Sequence, residues 1–274
     1  MQSIDELLDS LSKKYPGIAL RECVLASGRK AIIREQNGED DGILTNPIFV
    51  KSNNNYNAFL GNIVLALLNE DDSILKEQVT MTDIKNMAIN DKYSVLIHSR
   101  IFSLGEALQF EYPWDDKEEP TIYTENLEFF LNNIKAGKNL LPGEEGYFKY
   151  AIPLYTEDIT QPIELTLQSN KRVRFTILDG HGECYLLELN EDRQNINALL
   201  TSRNLEILIT DEWHRVDNFK LFSARDMMEL RSAVITKDPR FDGMTEVIHP
   251  DNKNRRLELP LVEIPDFLFP RTVQ

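Results

Sequence analysis

The densest grouping of reactive side chains is Asp179-Gly180-His181-Gly182-Glu183-Cys184, where two acids, an imidazole and a thiol crowd around two glycines. Two chemistries are open to it. His181 and Cys184, three apart, could face one metal ion from a helix or loop, or Asp179, His181 and Glu183 could serve a hydrolase as general acid and base. Two further metal ligands are not apparent, since His98, His181, His214 and His249 are scattered and the other thiol is Cys23. A glycine-rich turn entering an apolar segment is the better reading. The run Asn37-Gly38-Glu39-Asp40-Asp41-Gly42 opens like a calcium loop, but Ile48 stands where the closing bidentate Glu is needed. Asp40-Asp41, Asp71-Asp72 and Asp115-Asp116 are adjacent acids, which work as catalysts only when burial or a partner shifts a pKa. Gly180-x-Gly182 does not extend to a dinucleotide fingerprint, because Tyr185 replaces the third glycine. No P-loop, H-E-x-x-H, C-x-x-C or G-x-S-x-G occurs. The expectation is no catalytic residue, no metal and no cofactor.

Composition narrows the partners. Lys and Arg number 30 against 45 Asp and Glu, a formal net charge of -15, which disfavours a protein that tracks phosphates. Lys171-Arg172-Val173-Arg174 and Arg255-Arg256 read as solvated strand faces. The 42% hydrophobic content excludes wholesale disorder. No apolar run is long enough to cross a bilayer, and the first residues lack the basic-then-apolar layout of a secretion signal. Two cysteines are too few for a disulfide framework. Neither nucleic acid, membrane nor small-molecule substrate is expected as a partner, and the compartment is expected to be reducing.

The elements that must position these groups follow from periodicity and punctuation. Ser3-Ile4-Asp5-Glu6 is a capping box opening an amphipathic helix to about Lys14, halted by Pro16-Gly17. Ala19–Leu25 and Lys30–Arg34 form a strand pair around Ala26-Ser27-Gly28-Arg29. Phe59, Leu60, Ile63, Val64, Leu67 and Leu68 keep helical period, which predicts a helix between Tyr56 and Asn69. Asn90-Asp91 is expected to cap a helix from Lys92 to Leu104, stopped by Gly105. A hairpin through Pro113–Pro120, a short helix Asn126–Asn133 and a Gly/Pro-rich stretch follow. Further on come helices around Gln194–Thr201 and Ser223–Ile235, then a hairpin turning at Pro250–Asn254.

The chain resembles itself. Leu25 to Gly38 and Leu167 to Gly180 both give strand, small turn, basic pair, strand, then an acid or amide before glycine. Arg100 with Arg231 and Pro113 with Pro250 recur at similar separations, as in an internal duplication with small indels. The class is α+β, antiparallel hairpins with interspersed helices, in two similarly built halves. The divisions are 1–16 for the N-terminal helix, 17–134 for the first half, 135–160 for a linker, and 161–274 for the second half with its hairpin and aromatic tail.

Three ordered patterns carry a resemblance. The first is Ser27-Gly28-Arg29-Lys30 through Arg34, then the acidic stretch Glu35 to Leu44. The second is Asp91-Lys92, Leu96, Arg100, Ser103 and Gly105, followed by Phe110. The third is Glu258-Leu259-Pro260-Leu261, then Asp266-Phe267-Leu268-Phe269-Pro270. In this order they are similar to the base-plate and hub-assembly proteins of contractile-tailed (T-even-like) bacteriophages. The resemblance implies a non-catalytic tail component whose partners are other phage tail and base-plate proteins. It also implies a location in the host cytoplasm during assembly and in the virion base plate. A transient assembly chaperone absent from the finished particle is the first alternative, and a hydrolase with a site near Asp179–Cys184 the second.

Many relatives in that family carry paired cysteines at two hairpin tips, resembling zinc ribbons. This chain has Pro113-Trp114-Asp115-Asp116 and His249-Pro250-Asp251-Asn252 there, so turn chemistry and packing around Trp114 are expected to replace a metal. The tail Phe267-Leu268-Phe269-Pro270 reads first as docked on its own domain and second as an anchor for a partner. Candidate partner contacts are therefore Glu35, Asp40, Asp41, Trp114, Asp115, Phe267 and Phe269.

Overall fold

A computed structural model describes residues 4–189, 195–264 and 267–268. Helix α1 (Ile4–Lys14) buries Leu7 and Leu11 against Ile32, Leu65 and Leu68. Ser3, the expected cap, lies outside the described residues. Strands β1 (Leu20–Val24) and β2 (Lys30–Arg34) are joined by the expected turn, where Gly28 takes φ 82. Three short helices follow, α2 (Gly38–Leu44), α3 (Pro47–Lys51) and α4 (Asn55–Ile63). Strands β3 (Val64–Leu68) and β4 (Ile74–Glu77) complete an antiparallel sheet of order β1-β2-β3-β4.

The helix expected between Tyr56 and Asn69 is half helix and half strand, with α4 ending at Ile63 and β3 beginning at Val64. All five β3 residues are buried: Leu65, Ala66 and Leu68 pack with the α1 cluster, while Val64 and Leu67 join the main core. A strand covered on both faces has no polar alternation, so its sequence cannot be told from a buried helix by period.

Helices α5 (Met81–Lys85) and α6 (Ile89–Leu104) come next, α5 opened by a reciprocal Thr80–Asp83 capping box. Asn90 and Asp91 do not cap α6. They lie within its first turn, both buried, and their side chains serve tertiary contacts instead. Strands β5 (Ala107–Tyr112) and β6 (Thr121–Asn126) form the expected hairpin, and a 3-10 turn leads to α7 (Asn132–Ala136). The stretch 135–160 is no tether. Ile152 is fully buried and its N–H donates to Phe130 O at 2.8 Å, and Tyr150 joins the same core.

The second half contains β7 (Ile163–Thr166), β8 (Arg172–Phe175), α8 (Gly180–Glu188), α9 (Ile196–Thr201), β9 (Glu206–Ile209), β10 (Glu212–Arg215) and α10 (Ala224–Lys237). It ends in the hairpin β11 (Met244–His249) and β12 (Asn252–Pro260). Its sheet has the order β7-β8-β9-β10, all antiparallel, so the molecule is α+β. Each half runs hairpin, short helices, hairpin, long helix, two-stranded hairpin.

The likeness reaches single hydrogen bonds. Leu25 N–H donates to Arg29 O (2.8 Å) and Gly28 N–H to Leu25 O (3.0 Å); Leu167 N–H donates to Lys171 O (2.9 Å) and Asn170 N–H to Leu167 O (2.8 Å). Asn170 takes φ 61 where the first half has Gly28. Asn37 and Asp179 each cap the helix that follows the hairpin. At each turn a serine meets a carboxylate of the long helix: Ser27 with Asp91, and Ser169 with Asp226.

The cores do not divide as the chain does. Phe241, Val247, Leu261, Ile264, Phe267 and Leu268 belong to the core built by α4, α6 and β5, while Val173, Phe175, Leu200 and Leu230 centre a separate one. No helix among the described residues is long and apolar enough to cross a membrane.

Candidate functional site

The acidic stretch Glu35–Leu44 is not a loop, because α2 occupies most of it. Arg34 brings Asp40 inward with two bonds, Nη1 to Oδ2 at 2.9 Å and Nη2 to Oδ1 at 2.7 Å. Asn62 Nδ2 and the Asn37 N–H also donate to that carboxylate, each at 2.8 Å. Asp40 is therefore fully buried and cannot meet a partner, which corrects its assignment as a contact residue. Glu35 and Asp41 are exposed.

The two hairpin tips meet each other. Trp114 is only 3% exposed, its ring edge-on to His249 (4.8 Å) and to Tyr112 (4.9 Å), with Arg255 stacked on it at 4.9 Å. Its Nε1–H donates to Tyr123 Oη (2.9 Å), and the Tyr123 hydroxyl donates to Ile248 O (2.6 Å). His249 Nδ1 accepts from the Asp251 N–H at 3.2 Å, so Nε2 carries the proton it shares with Asp116 Oδ1 at 3.0 Å. That bond, helped by the charge of Arg255, holds the Asp116 carboxyl below its ordinary range. Asp115 is exposed and pairs with Arg255, and Lys117 pairs with Asp251. Packing and ion pairs thus join the tips, with Trp114 at the centre of the joint rather than at a contact surface. No group of three or more His, Cys, Asp or Glu suited to a metal occurs among the described residues.

Phe267 is 2% exposed within the first core, the docked arrangement, and is not offered to a partner. Phe269 lies outside the described residues.

The Asp179–Cys184 groups do not converge. Asp179 Oδ1 accepts the Gly182 N–H at 2.8 Å as the cap of α8, and His181 is exposed. Glu183 crosses to the other half, pairing with Lys92 of α6 at 2.5 Å. Cys184 points at α4, its Sγ 3.6 Å from Asn57 Nδ2, and burial raises its thiol pKa. Gly180 lets the halves touch, and Gly182 lets α8 lie close to the end of α9. A Cβ on Gly180 would lie 2.9 Å from Lys85 Cα, and one on Gly182 would lie 2.3 Å from Ser202 O.

Where α4, α6 and α8 meet lies a 290 Å³ cleft, which sequence reading missed. Leu60 and Leu96 give it an apolar floor, Asn53, Asn55 and Asn57 an amide wall, and Leu187 and Arg240 a rim. The Lys92–Glu183 pair neutralises itself within it. Tyr93 also faces it, its hydroxyl pKa pushed up to about 12, first by burial and then by Glu183. Asn57 is 2% exposed, yet its Oδ1 has no hydrogen-bond partner among the described residues. An orphaned acceptor of this kind costs about 1–3 kcal/mol. These groups come from segments far apart in the chain, so no local pattern could have announced them.

Beside the cleft, Asn90 stitches the molecule together. Its Nδ2 donates to Pro153 O (2.9 Å) and Pro239 O (2.8 Å), its Oδ1 accepts the Phe241 N–H (2.9 Å), and its own N–H donates to Tyr155 Oη (3.0 Å). Comparison with known protein families, curated proteins and solved structures finds no match to this chain.

Proposed function

We propose that the chain is a non-catalytic component of contractile phage tail assembly, working at the base plate or hub by fitting against other tail proteins. One observation carries the non-catalytic part: the acid, imidazole and thiol of the Asp179–Cys184 segment point to three different places, a helix cap, solvent and the α4 contact. The sequence resemblance supplies the rest, and the residues of its middle pattern are consumed in building the molecule. Asp91 holds the Ser27 turn, Lys92 pairs with Glu183, and Arg100 donates to Gly105 O at 2.8 Å. Ser103 accepts the Gln36 N–H, and Gly105 turns the chain at φ 84. Large apolar side chains left on the surface, such as Ile48, Met228 and Ile235, give partners something to bury.

The test is capture of the tagged chain from cells producing phage, read by mass spectrometry. Tail or hub proteins are the expected catch; metabolic enzymes alone would count against the reading. Purified particles separate a resident subunit from a chaperone, which would be missing from them.

A further inference from the structure

We infer that the cleft between the halves receives an extended peptide segment of a partner protein, an aliphatic side chain on its floor and a neighbouring carboxylate at Arg240. Asn57 lines the cleft, and its Oδ1 is buried with no hydrogen-bond partner among the described residues. An N–H donor that enters the cleft and shifts the side chain's amide toward itself would satisfy it. Main-chain amides supply that donor, and the flanking Asn53 and Asn55 side chains offer both donors and acceptors to an adjoining peptide unit. The floor of Leu60 and Leu96, extended by Val262 and the half-exposed Leu187, accepts an apolar side chain.

Charge fixes the remaining feature. Lys92 is already matched by Glu183, whereas the Arg240 guanidinium makes no hydrogen bond or ion pair among the described residues. It is a free cation at the mouth of a cleft in a chain of net charge -15, and a carboxylate is the matching group. A single free guanidinium is too little for a phosphate cluster. The 290 Å³ volume sits at the small end of ligand pockets, about 300 to 1,000 Å³, and suits one side chain with its flanking peptide units rather than a nucleotide.

The inference rests on the broader part of the proposed function, that the chain works by binding proteins. The test selects displayed random peptides against the full-length protein, then measures the selected peptides by titration. Enriched peptides are expected to share a Leu, Ile or Val beside an Asp or Glu. Leu187→Asp and Arg240→Glu, both at exposed rim positions, are expected to weaken binding at least about tenfold. Replacing the peptide's acid by lysine should restore binding to Arg240→Glu. Bound peptide should also slow alkylation of Cys184, read without interference because Cys23 is buried with its thiol pushed up to about 12.

No enrichment, or binding that both rim variants leave unchanged, overturns the inference. The two readings fail separately. Variants that still capture every tail partner remove the cleft and leave the assembly role. Peptides that respond to the rim variants, with no tail protein captured, keep the cleft and remove the base plate.

Discussion

Asp40 and Asp41 are neighbours with the same side chain and opposite fates. Asp40 is enclosed with Arg34, itself 4% exposed, and truncating one member of a buried pair leaves the other charge stranded. Asp40→Ala is expected to cost about 3–5 kcal/mol in urea unfolding. Asp41→Ala, at an exposed site, should stay within about 0.5 kcal/mol of the parent. Equal losses would show that the pair does not carry that stability. Composition could not say which acid in an acidic run is buried. The signal was there in spacing, since Asn37-x-x-Asp40 is an N-cap with an acid at the third helical position. Asn57 and Arg240 gave no such signal, because they meet only after α4 and the 239–242 segment are brought together.

Among the elements, α6 holds two groups that titrate against each other. Burial raises Asp91 from 3.8 to about 6, opposed by its bonds from Ser27 and the charge of Arg29. Between about pH 4 and 6 the folded state therefore keeps a proton that the unfolded chain has lost, so this group's contribution to stability falls as pH rises. Burial lowers His98 from 6.5 to about 4, opposed by its bond to Val24 O. There the unfolded chain holds the extra proton, and stability rises with pH over nearly the same window. The two slopes offset each other in the parent. Asp91→Asn should leave a stability that climbs from pH 4 to 7, and His98→Gln one that declines, each by on the order of 3 kcal/mol. Urea titrations at both ends of the window measure this, and parallel profiles for all three proteins would refute it.

Most elements were legible from caps, turns and period: the β1–β2 turn, the stop at Gly105, the Ser223–Asp226 box of α10 and the β5–β6 and β11–β12 hairpins, though not β9–β10. The miss at Val64–Leu68 came from a strand covered twice. The misplaced start of α6 came from polar residues whose bonds go to other segments, which local reading takes for a cap.

For the whole molecule, the decisive contact is the seam between halves. Ile89 N–H donates to Leu178 O at 3.0 Å, Ala88 bridges Asp179, and Gly180 lies against the Lys85 backbone. Gly180→Val needs room where backbone already sits. It should split thermal unfolding into two transitions, or lower the midpoint of a single one by several degrees. A transition unchanged in shape and midpoint would show that the seam has slack. The repeated architecture was visible in sequence through the Leu25 and Leu167 hairpins. The sharing of one core by both ends was not, since nothing in a linear pattern tells which partner an apolar face will choose.

That sharing sets a timetable. Synthesis delivers α4, α6 and β5 long before the β11–β12 hairpin and Phe267, which help fill their core. Until the hairpin has left the ribosome, greasy side chains of the early segments stay uncovered, and a prematurely terminated product never hides them. Proteases and chaperones are thereby given a means to distinguish finished molecules from fragments.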